Sequence, residues 1–249
     1  MTSWGRWRLK ADKGTVERAK RNAAAKAVEN VKDGFVVGLG SGSTAAYAIE
    51  ELGKKIKREK IAVLGVPTSH QAFTLAVQHG VVLTTLEEHP LLNLIIDGAD
   101  QVDPSLDMIK GMGGALSREK VVALSSRKRL IVVDAGKQVR VLGENGHPVP
   151  VEVLPFAAPL VLQKIRQMGG RPAVREGGGK VGPVMTDNGN FIVDAVFGPI
   201  AEPTVLERSL KCLPGVVETG LFVGLADEVY VGKPSEVETL KRSRFSSKV

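Results

Sequence analysis

No apolar run in this sequence is long enough to cross a bilayer. The longest, such as "LIVV" and "NLII", break within a few residues, far short of the roughly 20 that a spanning helix needs. An apolar h-region is missing from "MTSWGRWRLKADKG", so no secretory signal is expected. Cysteine is nearly missing too: Cys212 stands alone, which excludes an internal disulfide and fits a reducing compartment. Cytoplasm is the expected location. The histidines, His70, His79, His89 and His147, are scattered without ligand spacing, which argues against a zinc site. Internal repeats and low-complexity segments are lacking as well.

A broad basic face is also missing, although the net charge is +7. Residues 1–21 hold seven Lys and Arg (Arg6, Arg8, Lys10, Lys13, Arg18, Lys20, Arg21) against Asp12 and Glu17. The tail 241–249 holds Lys241, Arg242, Arg244 and Lys248 with no acid. The body between them is slightly acidic, so the excess is terminal and no nucleic-acid partner is expected. What is present is ordinary for a globular chain: 249 residues, 43% hydrophobic and 24% charged. That length buries a full core, as one large domain or two modest ones.

From residue 15 to 137, short apolar runs alternate with amphipathic segments. The helical "TVERAKRNAAAKAVENVKD" is expected to stop at Gly34 as its C′ residue, with "FVVGLG" following as a buried strand. Helices are then predicted in "STAAYAIEELGKKIKRE", "SHQAFTLAVQHG" and "ALSREKVVALSSR". Strands are predicted in "IAVLGV", "VVLTTL", "LLNLIIDGAD" and "RLIVVDAGK". Such alternation predicts a parallel sheet with helices on both faces. After about residue 145 the texture changes. "VPVEVL", "RPAVRE" and "VVETGLFV" read as strands, and "FAAPLVLQKIRQMG" and "EPTVLERSLKCLPG" as helices. "GPVMTDNGNFIVDAVF" reads as a hairpin turning at Asn188-Gly189, a favoured type I′ pair. The order βαββαβ is the ferredoxin-like motif, and "EVYVGKPS" offers one more strand returning to the first sheet. The expected fold class is α/β: a parallel-sheet domain over 1–145 and 225–249, and a smaller ferredoxin-like α+β domain over 146–224.

Ligands of open parallel sheets bind outside the carboxyl ends of the strands. Four expected strands of the first domain end in polar or glycine-rich loops. "FVVGLG" runs into Ser41, Gly42, Ser43 and Thr44, and "NLII" into Asp97, Gly98, Ala99 and Asp100, with Asp103 beyond. "DMIK" ends at Lys110 and runs into Gly111, Met112, Gly113 and Gly114, and "LIVV" into Asp134, Gly136 and Lys137. If the sheet is parallel, all four loops share one edge. "GSGSTA" joins a strand to a helix and suits a phosphate cradle, since a helix N-terminus presents free N–H groups and partial positive charge. Plain helix capping by Ser and Thr is the competing reading. Aspartates of "DGAD" suit either loop capping or a magnesium site. Lys110 closes an apolar strand before a glycine loop, which favours charge stabilisation of an anion. Glu119 is expected early in the following helix, where any acid is favourable through the helix dipole.

The same "GSGSTA" satisfies G-x-G-x-x-A, the fingerprint of a nicotinamide dinucleotide site. That site needs an acid about 20 residues on, at the end of the second strand. The second strand ends "GVPTSHQA", with no acid in reach, and "KGMGG" does not complete a Walker A pattern. Both nucleotide readings weaken, and no cofactor is expected.

Taken together, "GLGSGSTA", "DGADQVD", "MIKGMGGALSREK", "VVDAGK", "VPVEVLPFA" and "TDNGNFIVD" resemble ribose-5-phosphate isomerase of the A type, in that family's order and across about residues 15 to 235. The resemblance implies a Rossmann-like domain completed by the C-terminal strand, with a ferredoxin-like second domain. It implies a metal-free interconversion of ribose 5-phosphate and ribulose 5-phosphate in the pentose phosphate pathway. On this resemblance Glu119 is the base, Asp97, Asp100 and Lys110 act on the sugar, and Ser41 to Thr44 hold the phosphate. Lys20 approaches the phosphate and Lys137 contacts substrate. Gly98, Ala99, Gly111, Met112 and Gly113 complete the expected substrate-binding set. A homo-dimer or homo-tetramer is expected, with contact through the second domain. Met112 stands where the family commonly has glycine, so it must point away from substrate or keep φ < 0. Rival readings are a sugar-phosphate sensor, a dinucleotide-dependent dehydrogenase and an amino-sugar phosphate deaminase.

Overall fold

The structure, a computed structural model, describes residues 12–179 and 181–242. The basic clusters within 1–11 and 243–249 lie outside the described residues. Among those described, no helix is long and apolar enough to cross a membrane.

Helix α1 (Lys13–Val28) is capped by the Asp12 side chain, which accepts from Thr15 N, and it packs on a seven-stranded sheet. β1 (Phe35–Leu39), α2 (Ser43–Glu59), β2 (Val63–Pro67), α3 (His70–His79), β3 (Val82–Leu83) and β4 (Leu94–Asp97) follow. Next come β5 (Gln101–Val102), β6 (Met108–Ile109), α4 (Leu116–Leu124) and β7 (Arg129–Asp134). The second half holds β8 (Val149–Val153), α5 (Ala158–Gln167), β9 (Arg171–Val174), β10 (Phe191–Val196), α6 (Pro203–Lys211) and β11 (Val216–Thr219). It closes with β12 (Leu221–Phe222), β13 (Glu228–Gly232) and β14 (Val237–Lys241).

The large sheet has the order β14-β13-β7-β4-β1-β2-β3, parallel except for β14 at its edge. Alternate residues of its strands serve opposite faces. Val37, Leu39, Leu94, Ile96, Leu130 and Val132 join α1, α2 and α3 in one core. Ile95 meets Val122 and Ala123 of α4 on the other side, and Ile131 and Val133 meet Leu116. The fold is therefore α/β with both faces covered, as the alternating pattern predicts. The second sheet, β11-β8-β10-β9, is antiparallel, and its strand order with α5 and α6 is the ferredoxin-like arrangement. Val149, Val151, Val153, Val161, Ile165, Val193 and Leu210 fill its core.

Several local expectations need correction. α1 stops at Val28, well before Gly34, because Asn30 Nδ2 donates to the Ala27 carbonyl and Val31 turns inward to be buried. "VVLTTL" forms only the two-residue β3 at the sheet edge. "VVETGLFV" divides into β11 and β12, which join different sheets with Gly220 between them. "DMIK" is not a strand of the parallel sheet: β6 pairs antiparallel with β5 and β12 in a separate three-stranded sheet. The turn at Asn188-Gly189 is not type I′, since Gly189 has φ +78° but Asn188 is not left-handed. Only an isolated bridge, Met185 to Phe191, pairs its arms. β10 instead pairs with β8 and β9.

Candidate active site

β1 and β4 lie side by side, and the chain leaves them in opposite directions, through β2 and β3 on one side and β7 on the other. Their carboxyl ends open a crevice at this switch point. Gly40 makes the junction possible. A Cβ there would sit 2.5 Å from Asp97 Cα, so only glycine lets the two strand ends close together.

On the β1 side, α2 begins at Ser43 after Gly42, which has φ +96° and offers no side-chain cap. The first N–H groups of α2 thus lack a capping side chain, the condition for an anion site. Ser41 N donates to Asp97 Oδ1 (3.2 Å), and its hydroxyl donates to Ser69 Oγ (2.6 Å) and lies 2.8 Å from Thr68 Oγ1. Gly42 N donates to Gln71 Oε1 (2.9 Å). Lys20 Nζ reaches from α1 to Ser43 Oγ (3.1 Å), bringing a cation to the rim. Thr44 is buried beneath it.

On the β4 side, Asp97 is buried, and its Oδ1 accepts from Gly98 N (2.7 Å) as well as from Ser41 N. Lys110 enters from the small sheet, anchored by its N–H on Gly220 O (2.9 Å). Its ammonium sits 3.0 Å from Asp97 Oδ2 and 3.3 Å from Glu119 Oε1, and donates to Gly98 O (2.5 Å). Glu119 lies in the first turn of α4 and is 4% exposed, with Oε2 buried and lacking any hydrogen-bond partner. Beside it, the glycine loop turns at Gly111 (φ +103°), and Met112 N donates to Asp100 Oδ2 (3.0 Å). Met112 does not take positive φ and lies on the surface side, its sulfur 3.8 Å from Arg175 Nη2. The middle loop residue thus keeps its amide in place without straining the turn.

Burial drives the electrostatics. Desolvation and the charge of Asp97 push Glu119 up to about 8, against the pull of Lys110. Burial also raises Asp97, with Lys110 opposing. Lys110 loses from burial but gains more from Asp97 and Glu119, so its proton is held above the usual lysine range. Asp97 has the shorter ion pair and two amide donors. Glu119 has the longer pair and a bare oxygen. The ammonium therefore belongs chiefly to Asp97, and Glu119 is left as the more weakly paired of the two buried carboxyl groups. Among the described residues, no three His, Cys, Asp or Glu side chains gather as a metal-holding group.

The structure draws Ser41, Asp97, Gly98, Lys110 and Glu119 into one bonded cluster, with Asp100 joined to it through the glycine loop. Ala99 packs at the edge of a neighbouring core. Lys137 ends a short 3-10 turn after β7. Among the described residues it makes no hydrogen bond or ion pair with the set, although its charge is felt by His147. Sequence reasoning missed Thr68, Ser69 and Gln71, read only as lacking an acid although they form a polar run at a strand end. It also missed Arg175, which is paired to Asp194 and donates to the carbonyls of Gly111 and Met112 (2.9 Å each). No local pattern marks that clamp, because it reaches the loop from 63 and 64 residues away.

A profile of the family described as Ribose 5-phosphate isomerase A (phosphoriboisomerase A) matches residues 64–236. Ribose-5-phosphate isomerase A of Methanosarcina acetivorans is 47% identical over 226 residues, covering 90% of this chain and 95% of that one. The structure of ribose 5-phosphate isomerase A from Methanocaldococcus jannaschii superposes with a TM-score of 0.87 at 44% identity, covering 90% of this chain and 99% of that one. A D-ribose-5-phosphate isomerase in complex with phospho-erythronic acid gives 0.89 at 42% identity, over 91% and 99%. Likeness of this depth, over nine-tenths of the chain, has one meaning: the chain belongs to the ribose 5-phosphate isomerase A family.

Proposed function

We propose that this chain interconverts ribose 5-phosphate and ribulose 5-phosphate, with Glu119 carrying the proton between C2 and C1. One observation carries the assignment: a buried carboxyl oxygen of Glu119 stands without a partner, beside an ammonium already committed to Asp97. Glu119 takes the C2 proton of the open aldose, leaving an enediolate. Lys110 and the glycine-loop amides stabilise the charge on oxygen, an interaction that gains most where water is excluded. Glu119 then returns its proton to C1 while the proton of the C2 hydroxyl passes to O1, so that C2 becomes the carbonyl and C1 the hydroxymethyl carbon of the ketose. Asp97, Asp100 and Lys110 serve the ring-opening and hydroxyl protons. The phosphate binds at Ser41, Gly42, Ser43 and Thr44 with Lys20 beside it. Gly98, Ala99, Gly111, Met112, Gly113 and Lys137 complete the substrate surface.

Residues 1–145 with 225–249 make the catalytic domain in this reading, and 146–224 the smaller domain through which copies associate. The reaction needs no metal or cofactor, and the cytoplasm suits a chain whose one cysteine, Cys212, is free and exposed. Glu119→Gln keeps substrate binding within a few-fold while turnover falls at least about a hundredfold; near-normal turnover in that variant would refute the base. EDTA leaves activity unchanged, and a loss restored by magnesium would overturn the metal-free reaction.

A further inference from the structure

α4 has no side-chain N-cap, since Ala115 holds that place. At nine residues it is also too short to persist alone, so its aim is set by what it touches. Ser117, two residues before Glu119 in the same helix, donates to Glu152 Oε2 (2.5 Å). Glu152 sits in the middle of β8, is 0% exposed, and its other oxygen accepts from Thr186 Oγ1 (2.8 Å), Asn188 Nδ2 (3.1 Å) and Asn190 Nδ2 (2.8 Å). Four neutral donors from two separate segments thus converge on one buried carboxyl group. An apolar side chain would fill that volume without the desolvation cost, so the acid's use is to order its donors.

The turn that supplies three of them, 186–190, also reaches the opposite rim. Asp187 Oδ2 accepts from His70 N (2.8 Å) at the start of α3, and the preceding Ser69 holds the Ser41 hydroxyl. Arg118 of α4 donates to Asn188 Oδ1 (2.7 Å) and Asp187 O (2.9 Å). One short turn is therefore bonded both to the helix carrying Glu119 and to the helix start behind the phosphate cradle.

We propose that Glu152 and the turn Thr186–Asn190 form a positioning device that fixes α4 against the start of α3, and so sets the distance between Glu119 and the bound phosphate. The proposal rests on the assignment of Glu119 as base. Its residues touch no reacting atom, but a displacement of about 1 Å at a catalytic group can cost on the order of a hundredfold.

The two arms separate in kinetics. Ser117→Ala removes one donor and leaves Glu152 three. Loss of the bond to the buried Oε2 lowers the melting temperature somewhat, but kcat is expected to fall about tenfold or more with KM for ribose 5-phosphate nearly unchanged, and Ser117→Thr restores kcat. Asp187→Ala frees the start of α3 and is expected to raise KM several-fold while kcat changes less. Wild-type kcat and KM in both alanine variants overturn the device, as does a parallel loss of both constants that tracks a fall in melting temperature. Glu119→Gln measured alongside separates the two claims. If it abolishes turnover while Ser117→Ala and Asp187→Ala behave as wild type, only the positioning role falls. If it retains turnover, the base assignment falls first.

Discussion

Two carboxyl groups and one ammonium share a volume closed to water, and their unequal bonding divides the work between them. Asp97 is held by two amides and the nearer approach of Lys110; Glu119 is left with a bare oxygen. A base whose pKa lies near the working pH accepts and returns a proton with the least penalty. With Glu119 raised to about 8, kcat/KM is expected to fall as pH drops below that value, because the group must be unprotonated to accept the C2 proton. A rate profile flat from pH 6 to 9 would count against it. The same shift bears on stability. Between the ordinary carboxyl value of 4.5 and about 8, the folded chain keeps a proton that the unfolded chain releases. The favourable contribution is complete at the acid end of that window and lost as pH rises through it. Glu119→Gln does not titrate, so its advantage in melting temperature over the parent should widen from pH 5 to 8. A gap independent of pH would contradict the buried charge.

Strands and helices bring these groups together through a few tight contacts. Gly40 lets the ends of β1 and β4 meet, with no room for a methyl group against the Asp97 backbone. Gly40→Ala should therefore lower unfolding free energy by about 1–3 kcal/mol and reduce turnover, both measurable by denaturant titration and assay; unchanged stability would mean that the strand ends separate freely. α4 is fixed by apolar contacts of Leu116, Val122 and Ala123, and by Lys120, whose buried ammonium meets Glu207, Glu218 and the Leu221 carbonyl. Burying a Leu or Val stabilises by about 1.5–3 kcal/mol, enough to order a helix this short. Helix and strand identities were readable because each carries its own apolar period. The bounds of α1, the length of β3 and the turn before β10 were not, because distant partners set them: Val31 goes to the core, and Asn188 and Asn190 go to Glu152.

Across the whole molecule, the chain passes from the large sheet to the antiparallel one and back, with β13 returning beside β7. The antiparallel unit supplies Arg175 to the glycine loop and Glu152 to α4, so it acts on the site as well as covering it. It also bears Leu154, Phe156 and Leu160 on its surface, Phe156 being 99% exposed. The proposed association of copies through this unit would bury such large apolar side chains. Phe156→Asp should reduce the hydrodynamic mass of the native assembly while leaving its circular dichroism unchanged; an unaltered mass would place the contact elsewhere.

The order of elements, the two kinds of sheet and the polar strand ends were all present in the linear pattern, since apolar periodicity and glycine placement act over a few residues. Glu119, Asp97 and Lys110 were visible there as candidates, but not their bonding. Only the folded chain decided that Lys110 arrives from a separate antiparallel sheet, that it favours Asp97 over Glu119, and that one oxygen of Glu119 is left bare. Those facts depend on burial and on contacts between separate segments, with Lys110 bonded both to Gly98, 12 residues back, and to Gly220 far ahead in the chain, and an electrostatic balance of that kind exists only once water has been excluded.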